Sequence, residues 1–185
     1  MSPDVPEPWR GFLAELDTLI DRNVQLHCCG GFVVTVRYGL ARTTADLDVL
    51  SILPNEDQER LAALAGRDSD LHKTHGVYLD VVTVATHPDS YEERLTEIAP
   101  AIFNHIQLLA LDPHDLVLTK LGRNADRDRS DVAYLAVVVP LDVTVLRERY
   151  QSEMRSYLGR PEREDLTLDL WIMIQEAQHT REPRA

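Results

Sequence analysis

Three aspartates in two apolar segments are the residues of this sequence best suited to chemistry. Asp46 and Asp48 stand two apart in ADLDVLSIL, and Asp80 lies inside the apolar run VYLDVVTV. Residues two apart in a β-strand point to the same face, so Asp46 and Asp48 are predicted to project together. Such like charges repel unless a cation neutralises them, and an acid in a hydrophobic strand is disfavoured unless it is paired or binds a metal.

The chemistry that these acids predict is metal-assisted phosphoryl transfer. Mg²⁺ and Mn²⁺ take oxygen ligands, commonly one or two protein carboxylates together with substrate phosphates. If the strand of Asp80 neighbours that of Asp46 and Asp48, three carboxylates converge, and two metal ions there can hold the attacking and leaving oxygens. The alternatives are structural: an exposed edge for the D-x-D pair and a solvent-facing position for Asp80.

A glycine pair precedes the acids by about fifteen residues. Gly30 and Gly31 follow the short apolar segment NVQLHCC. Glycines at the end of a strand let the backbone approach a ligand closely, and free amides there can hold a phosphate. The pair matches neither G-x-x-x-x-G-K-[ST] nor G-x-G-x-x-G, so no P-loop or dinucleotide fold is predicted. A plain tight turn is the alternative.

The elements that must position these residues form an α/β pattern. Short β-branched or apolar runs predict strands at 23–31, 45–53, 75–86 and 105–111. Helical spacing and capping residues predict helices at 12–22, 32–40, 55–67, 112–123, 128–139, 142–158 and 164–178. The segment 91–100 reads as a polar helix or turn. The fold class is therefore α/β (α+β), with a helical C-terminal part.

Composition and charge narrow the possible partners. The chain has 185 residues and a net charge of −12, which argues against a general nucleic-acid-coating role. No apolar run approaches the ~20 residues of a membrane span, and the acidic, Pro-rich start is neither a secretory signal nor a transit peptide. We therefore expect a cytoplasmic protein without a membrane partner. A local basic patch in the helical half would have these candidates: Arg123, Arg127, Arg129, Arg147 and Arg149.

Three further features are predicted to be structural. The adjacent cysteines Cys28 and Cys29 offer neither metal nor disulfide spacing and read as small buried strand residues. The segment WIMI at 171–174 reads as core or as an interface helix, and not as a cofactor site. Four histidines without ligand spacing are expected at the surface: His72, His75, His87 and His105.

Taken in order, the segments GG, RTTADLD and YLDVV resemble the nucleotidyltransferase superfold of the DNA polymerase β type. Its pattern is hG[GS], then [DE]h[DE], then h[DE]h, and the match covers residues 24–85. The R-x-[ST]-x-D-[IL]-D form is similar to the group that contains AbiEii-type toxins and minimal nucleotidyltransferases. The resemblance implies a mixed sheet flanked by helices, with an α/β core at 1–112 and a helical subdomain at 113–185.

The resemblance also implies roles for the residues that match the core motifs. Gly30 and Gly31 would hold the triphosphate of an NTP, although the superfold often has Ser at the second position. The three acids Asp46, Asp48 and Asp80 would bind Mg²⁺ or Mn²⁺. Asp80 would also be the candidate base for the incoming nucleophile.

Further roles follow from the resemblance in the flanking segments. Arg42 and Thr44 would lie near the phosphates. In the toxin-like group a downstream helix supplies a lysine, followed by an Arg-Asp-x-x-Asp segment, and HDLVLTKLGRNADRDRSDV matches this pattern. Lys120 would neutralise the triphosphate or the leaving pyrophosphate, and Asp128 or Asp131 would orient Lys120 or close the site. The alternative is a helix-surface lysine followed by a solvated charged turn.

The activity implied is transfer of a nucleoside monophosphate from an NTP to an acceptor hydroxyl. RNA or tRNA, a protein and a small molecule are the possible acceptors, and a toxin role would imply a cognate antitoxin. Two alternatives stay open: a nucleotide-binding regulatory or partner module without turnover, and a purely structural α/β protein. The intact trio of Asp46, Asp48 and Asp80 favours the enzyme.

Overall fold

The computed structural model describes residues 5–83 and 86–181, with side chains described as far as residue 176. Backbone contacts divide the chain into two compact units. One unit comprises Met1–Val84 and Arg94–Leu111, and the other comprises Ala85–Glu93 and Asp112–Ala185. The domain boundary predicted after residue 112 stays a prediction. In the described part of the chain, no helix combines the length and the apolar character that crossing a membrane requires.

The first unit contains the sheet, and the second is helical. The strands are β1 (Val24–Cys28), β2 (Asp46–Leu53), β3 (Tyr78–Val81), β4 (Thr96–Ile98) and β5 (Ile106–Ala110). The helices of the first unit are α1 (Trp9–Leu19), α2 (Gly30–Val36), α3 (Gln58–Ala65) and α4 (Asp70–His75). Those of the second are α5 (Pro113–Leu118), α6 (Asp126–Val138), α7 (Val143–Arg149) and α8 (Pro161–Arg181).

The five strands form one mixed sheet in the order β3-β2-β1-β5-β4. Strand β1 pairs antiparallel with β2 and parallel with β5, while β2 pairs parallel with β3 and β4 pairs antiparallel with β5. The predicted fold class, a mixed sheet flanked by helices with a helical C-terminal part, is confirmed. Strands β1 and β2 are neighbours in this sheet, so the glycine turn that follows β1 lies beside the D-x-D segment of β2.

A β-bulge interrupts the pairing of β1 with β2. Leu26 pairs with Ile52, but Cys28 pairs with Val49, so β2 contains one extra residue, Leu50. Extra residues of this kind bend a strand and disturb its strict alternation of faces. The buried side chains on the two sides of the bulge are Leu26, Cys28, Val49 and Ile52.

Local signals account for the helix boundaries. The apolar residues of α1 recur at i, i+3, i+4 and i+7, and Trp9, Phe12 and Leu16 are all buried. Helix α5 begins after Asp112, whose side chain accepts a hydrogen bond of 3.0 Å from the backbone N–H of His114. These two helices therefore begin where the sequence supplies an apolar stripe or a cap.

Four predicted elements need correction. The helix predicted at 142–158 is α7 only as far as Arg149, and a π-helical turn (Tyr150–Met154) and a 3₁₀ turn (Arg155–Tyr157) follow it. The segment 91–100, predicted to be a polar helix or turn, contains a 3₁₀ turn at its start but also the edge strand β4. Strand β4 has only three residues, one of them buried, so its sequence is too short to show the alternation of apolar and polar residues that predicts a strand.

The other two corrections concern boundaries. Helix α2 runs from Gly30 to Val36 and not over 32–40, because it begins directly after β1. The strand predicted at 75–86 is limited to Tyr78–Val81, and residues 84 and 85 lie outside the described residues. The prediction that both cysteines are buried is confirmed, but only Cys28 lies in a strand, because Cys29 is the N-cap residue of α2.

The four histidines expected at the surface are all partly exposed, and each is also half-buried. His75 shows the reason, because its Nε2 lies 2.7 Å from Oε2 of Glu15 and its ring packs edge-on against Phe12. His72 likewise packs against the ring of Tyr78. An imidazole has an apolar body and a polar tip, so it can bury the first while the second keeps a polar partner.

Candidate active site

The D-x-D segment and the third acid lie on neighbouring strands. Strands β2 and β3 are parallel, and their register places Asp46 beside Tyr78 and Asp48 beside Asp80. Paired strands lie about 4.8 Å apart, so the backbones of Asp48 and Asp80 are direct neighbours. Asp46 and Asp48 are half-buried and Asp80 is exposed. The prediction that the strand of Asp80 neighbours the D-x-D strand is confirmed.

The apolar residues between the acids decide which way the acids point. Leu47, Val49 and Leu79 are buried and alternate with the acids along β2 and β3. Because successive side chains of a strand point to opposite faces, burial of these three turns the carboxylates away from the core. The bulge at Leu50 makes this possible, since alternation counted from the buried Ile52 would otherwise place Asp48 on the core side.

The glycine turn packs directly against one of the acids. Gly30 has φ of +66°, and a Cβ built there would lie 1.8 Å from Oδ2 of Asp48. The backbone N–H of Cys29 donates to the carbonyl oxygen of Asp48 over 2.9 Å, which fixes the turn to β2. Position 30 therefore requires glycine for its backbone conformation and for the close approach of the carboxylate.

The second glycine lies beside Arg42 and Thr44. A Cβ at Gly31 would come within 2.8 Å of Nη2 of Arg42 and 3.3 Å of Oγ1 of Thr44. Thr44 is buried, and its hydroxyl donates to Oδ1 of Asp46 over 2.5 Å. The structure thus gives Thr44 a contact that the sequence did not predict, because it orients the first acid. The predicted contacts of Arg42 and Thr44 with phosphates stay predictions.

The donor set of this site fits a hard divalent cation. Within residues 5–83 and 86–181, no group of three or more His, Cys, Asp or Glu side chains has the arrangement that would hold a metal ion by itself. Mg²⁺, however, is commonly bound through one or two carboxylates, with water and substrate phosphates completing the shell. Asp46 and Asp48, with Asp80 on the next strand, provide such a set. Metal binding by these acids stays a prediction.

A second group of charged residues lies in the helical unit. Lys120 follows α5 and is only 4% exposed. Its Nζ donates to Oδ2 of Asp131 over 2.8 Å and lies 3.7 Å from Oδ1 of Asp128. Both aspartates belong to α6 and are buried. Of the two acids that the sequence left open as partners of Lys120, Asp131 makes the direct hydrogen bond.

Asp128 has a different set of partners. Arg123 donates to both of its oxygens, from Nε over 2.7 Å and from Nη2 over 2.6 Å, and the backbone N–H of Ala125 donates over 3.0 Å. Burial raises the pKa of Asp128, but these hydrogen bonds and the charges of Lys120 and Arg123 outweigh it and hold the pKa below its ordinary value. The sequence analysis did not predict this role for Arg123, and the only signal for it is a spacing of five residues between Arg123 and Asp128.

The arginines proposed as a basic patch are largely paired with acids. Besides Arg123, Arg129 pairs with Asp126, Arg147 Nη1 lies 2.7 Å from Asp169, and Arg149 Nη1 lies 2.6 Å from Asp112. Such pairs neutralise the field that a phosphate backbone would meet. These four arginines therefore do not form an uncompensated basic surface.

The predicted site residues fall into two sets, one in each unit. The structure brings together on the sheet Gly30, Gly31, Arg42, Thr44, Asp46, Asp48 and Asp80. In the helical unit it brings together Lys120, Asp128 and Asp131. The catalytic and nucleotide-binding roles of both sets stay predictions.

A mixed five-stranded sheet flanked by helices, with a D-x-D pair beside a glycine turn, is the core expected of a nucleotidyltransferase. Residues 11–178 match the model of a family described as "Nucleotidyltransferase of unknown function (DUF6036)". The chain belongs to this family, and the resemblance to the nucleotidyltransferase superfamily is confirmed. The narrower AbiEii-type grouping stays a prediction. No curated protein and no solved structure matches the chain significantly.

Proposed function

We propose that this chain is a metal-dependent nucleotidyltransferase, which transfers a nucleoside monophosphate from an NTP to an acceptor hydroxyl. The observation that carries the proposal is the packing of the Gly30 turn against Asp48, whose neighbour in register is Asp80. A backbone that can approach phosphates thereby lies beside carboxylates that can bind their counter-cation.

In this proposal Asp46 and Asp48 hold Mg²⁺ or Mn²⁺, and Thr44 keeps Asp46 in its ligating orientation. The bound ion supplies charge neutralisation for the triphosphate and the leaving pyrophosphate. The backbone of Gly30 and Gly31, with the guanidinium of Arg42 beside it, holds the triphosphate. Asp80 is exposed and therefore accessible to an acceptor.

The proposed reaction is an in-line displacement at the α-phosphorus. The acceptor hydroxyl oxygen forms a bond to that phosphorus while the bond to the α–β bridging oxygen breaks, and pyrophosphate leaves. Asp80, which is the neighbour of Asp48 in register, accepts the proton of the hydroxyl as the general base. Most of the rate enhancement would come from positioning and electrostatic stabilisation, as in other phosphoryl transfers.

The role that the motif resemblance implies for Lys120, neutralising the triphosphate or the leaving pyrophosphate, stays a prediction. Lys120 is one of only two lysines among nineteen Lys and Arg residues, so a lysine at this position is unusual for the chain. Its ammonium is 4% exposed and donates to Asp131. Asp128 and Asp131 would act on a nucleotide only through Lys120.

The charge pattern favours a small-molecule or protein hydroxyl as the acceptor over tRNA. A net charge of −12 and the acid-paired arginines of the helical unit weaken the attraction of a polynucleotide. A toxin role with a cognate antitoxin belongs to the proposal only through the resemblance in the motifs.

Calorimetric titration and a pyrophosphate assay test the proposal. Each of the four NTPs is titrated into the protein with and without Mg²⁺, and pyrophosphate release is followed for the wild type and for Asp46→Asn. We expect Mg²⁺-dependent binding of at least one NTP. We also expect slow release of pyrophosphate as the nucleoside monophosphate is transferred to water or to an added polyol. Both should fall by at least about 100-fold in Asp46→Asn, because a ligand and the partner of Thr44 are altered together.

The matched control is Glu97→Gln, which removes an exposed carboxylate from β4 of the same sheet and should change neither quantity. Binding that is equally tight without Mg²⁺, or unchanged in Asp46→Asn, would contradict the proposed site. Mg²⁺-dependent binding with no pyrophosphate release for any acceptor class would instead indicate a regulatory or partner module. Absence of both metal and NTP binding would leave a structural α/β protein.

A further inference from the structure

Helix α8 has apolar side chains on two opposite sides. Its inner side buries Leu168 and Ile172 within the helical unit. Its outer side carries an exposed stripe at the spacing i, i+4, i+7 and i+8, whose members are each between 49% and 64% exposed. We call these four residues the outer stripe: Leu166, Leu170, Met173 and Ile174.

A surface helix normally has polar and charged residues on the side away from the core, and a helix that is apolar all round is normally buried. The outer stripe departs from this pattern in a chain of which 27% is charged, because the six residues 170–175 include no charged side chain. The sequence predicted that WIMI at 171–174 is either core or interface. The structure divides the segment, since Ile172 is core and Met173 is exposed.

An apolar groove lies next to the outer stripe, within the helical unit. It has a volume of about 80 Å³ and is lined by residues of α6 and α8, among them Ala133, Ala136, Trp171 and Ile174. Val137 of α6 follows on the same helix and is 73% exposed. The surface therefore combines a ridge of large side chains with a depression beside it.

We propose that the outer stripe is the contact surface for a second copy of this chain, with the two α8 helices antiparallel about a two-fold axis. A two-fold interface uses the same patch on both subunits, so the patch must complement itself. The outer stripe and the groove meet this condition, because the side chains of one copy can enter the groove of the other. Antiparallel helices also align their macrodipoles favourably.

The exposed area is compatible with a dimer. Four large side chains, each about half exposed, present on the order of 400 Å² of apolar surface, the size of the largest apolar patch on a typical monomer, which is often functional. Since interfaces are about 60% apolar, two such surfaces imply a total buried area of roughly 1,300 Å², at the lower end of stable interfaces.

Charge bears on the kind of partner that the outer stripe can take. Two chains that each carry −12 repel one another at long range, so the stability of a dimer would have to come from burial of apolar surface. Asp169, at i+3 from Leu166, pairs with Arg147, which limits the repulsion beside the outer stripe. The four side chains of the outer stripe are uncharged, so they offer a basic partner no complementary charge.

Sedimentation velocity on the full chain tests this proposal, independently of any nucleotidyltransferase activity. We expect a species of twice the 21.0 kDa chain mass at micromolar concentrations, with a concentration-dependent equilibrium. Met173→Glu should raise the dimer dissociation constant by at least about 100-fold, because two charges would be buried per dimer. Leu19→Glu is the matched control, since Leu19 is 46% exposed at the end of α1 and outside the outer stripe.

Disulfide trapping provides a second measurement. Leu170 lies at the middle of the outer stripe, and in an antiparallel pair that position faces its own copy. Leu170→Cys should therefore form a covalent dimer on mild oxidation, while Leu19→Cys should not, and the native Cys28 and Cys29 are buried. A wild type that stays monomeric at about 100 µM, or a dimer unaffected by Met173→Glu, would overturn the proposal. A monomer that binds a different protein through the outer stripe would also overturn it.

Discussion

The chain contains two groups of aspartates, one on the sheet and one on the helical unit, and they are compensated in different ways. In the helical unit, Asp128 and Asp131 are buried and receive hydrogen bonds from Arg123 and Lys120. On the sheet, Asp80 is exposed, and Asp46 accepts a hydrogen bond from a neutral hydroxyl, that of Thr44. One group has its charge neutralised inside the protein, and the other directs carboxylates outward.

The difference matches a structural role for the helical group and the proposed metal-binding role for the sheet group. Buried carboxylates with fixed cations stabilise the fold only as complete pairs, because removal of one partner leaves an uncompensated buried charge. Carboxylates that point away from the core contribute less to the fold, so grouping Asp46, Asp48 and Asp80 on neighbouring strands suits a ligand better than it suits stability. Each of the following variants changes one group and leaves the other intact.

The largest expected effect is the loss of catalysis in Asp80→Asn. An amide cannot accept the acceptor's proton, so kcat should fall by about 10²- to 10⁴-fold while the affinity for Mg²⁺ and NTP changes by less than about 10-fold. Pyrophosphate release under saturating NTP measures the first quantity and calorimetry the second. A rate equal to that of the wild type would exclude Asp80 as the base.

Next in size is the loss of stability in Asp131→Asn. The substitution leaves the ammonium of Lys120, which is 4% exposed, without its closest anion. We expect the free energy of unfolding, measured by urea titration, to fall by about 3–5 kcal/mol. The control is Asp126→Asn on the same helix, whose carboxylate is exposed and pairs with Arg129 at the surface, and which should cost less than about 1 kcal/mol. Equal losses would show that burial of the pair does not matter.

Two glycine variants sharpen the description of the sheet group. Gly30→Ala and Gly76→Ala both place a side chain at positive φ, +66° and +72°, which should cost each about 1–2 kcal/mol of unfolding free energy. At Gly76 an added Cβ meets nothing within 4 Å, whereas at Gly30 it collides with Asp48. Only Gly30→Ala should therefore also weaken Mg²⁺-dependent NTP binding, by about 10-fold or more. Equal NTP affinities in the two variants would contradict the role of the turn.

The smallest effect is the pH dependence of the helical group. The pKa of Asp128 is held below its ordinary value of 3.8 in the folded chain. The stability that this carboxylate contributes is therefore fully present above pH 3.8 and is lost as the pH falls through the folded pKa. Thermal unfolding between about pH 5 and pH 2 should show a steeper loss for the wild type than for Asp128→Asn. Parallel curves would contradict the assignment.

The strand position of the sheet group could be predicted because its signals are local. Asp46, Leu47 and Asp48 alternate as a half-buried strand requires, and Gly30 ends the preceding strand. Pairing is not local, however. Strand β3 lies parallel beside β2 with Asp80 in register with Asp48, and this pairing depends on the whole sheet. The sequence therefore predicted convergence of the three acids only on the condition that the two strands are neighbours. In the helical group, the choice of Asp131 over Asp128 depends on the direction of Lys120, which spacing along α6 does not give.

The elements that the sequence did not reveal are short and weakly patterned. Helix α4 buries only Leu71, so it has no apolar stripe. Its only sequence signals are the residues at its two ends, the N-cap Ser69 and the C-cap Gly76, which has a positive φ. Strand β4 buries only Ile98. Both elements are held by neighbours in the first unit, and tertiary contacts of this kind leave little trace in periodicity.

The bulge in β2 absorbs one residue, Leu50, between two stretches of regular pairing. Deleting Leu50 would make Val49 the direct neighbour of Ser51, and regular alternation from Ile52 would then keep Asp48 and Asp46 on the side away from the core. What the deletion would remove is the local bend and the extra twist that a bulge gives to a strand. The additional residue therefore shapes the path of the strand that carries the acids and, because the bulge absorbs it, leaves unchanged the face that they occupy.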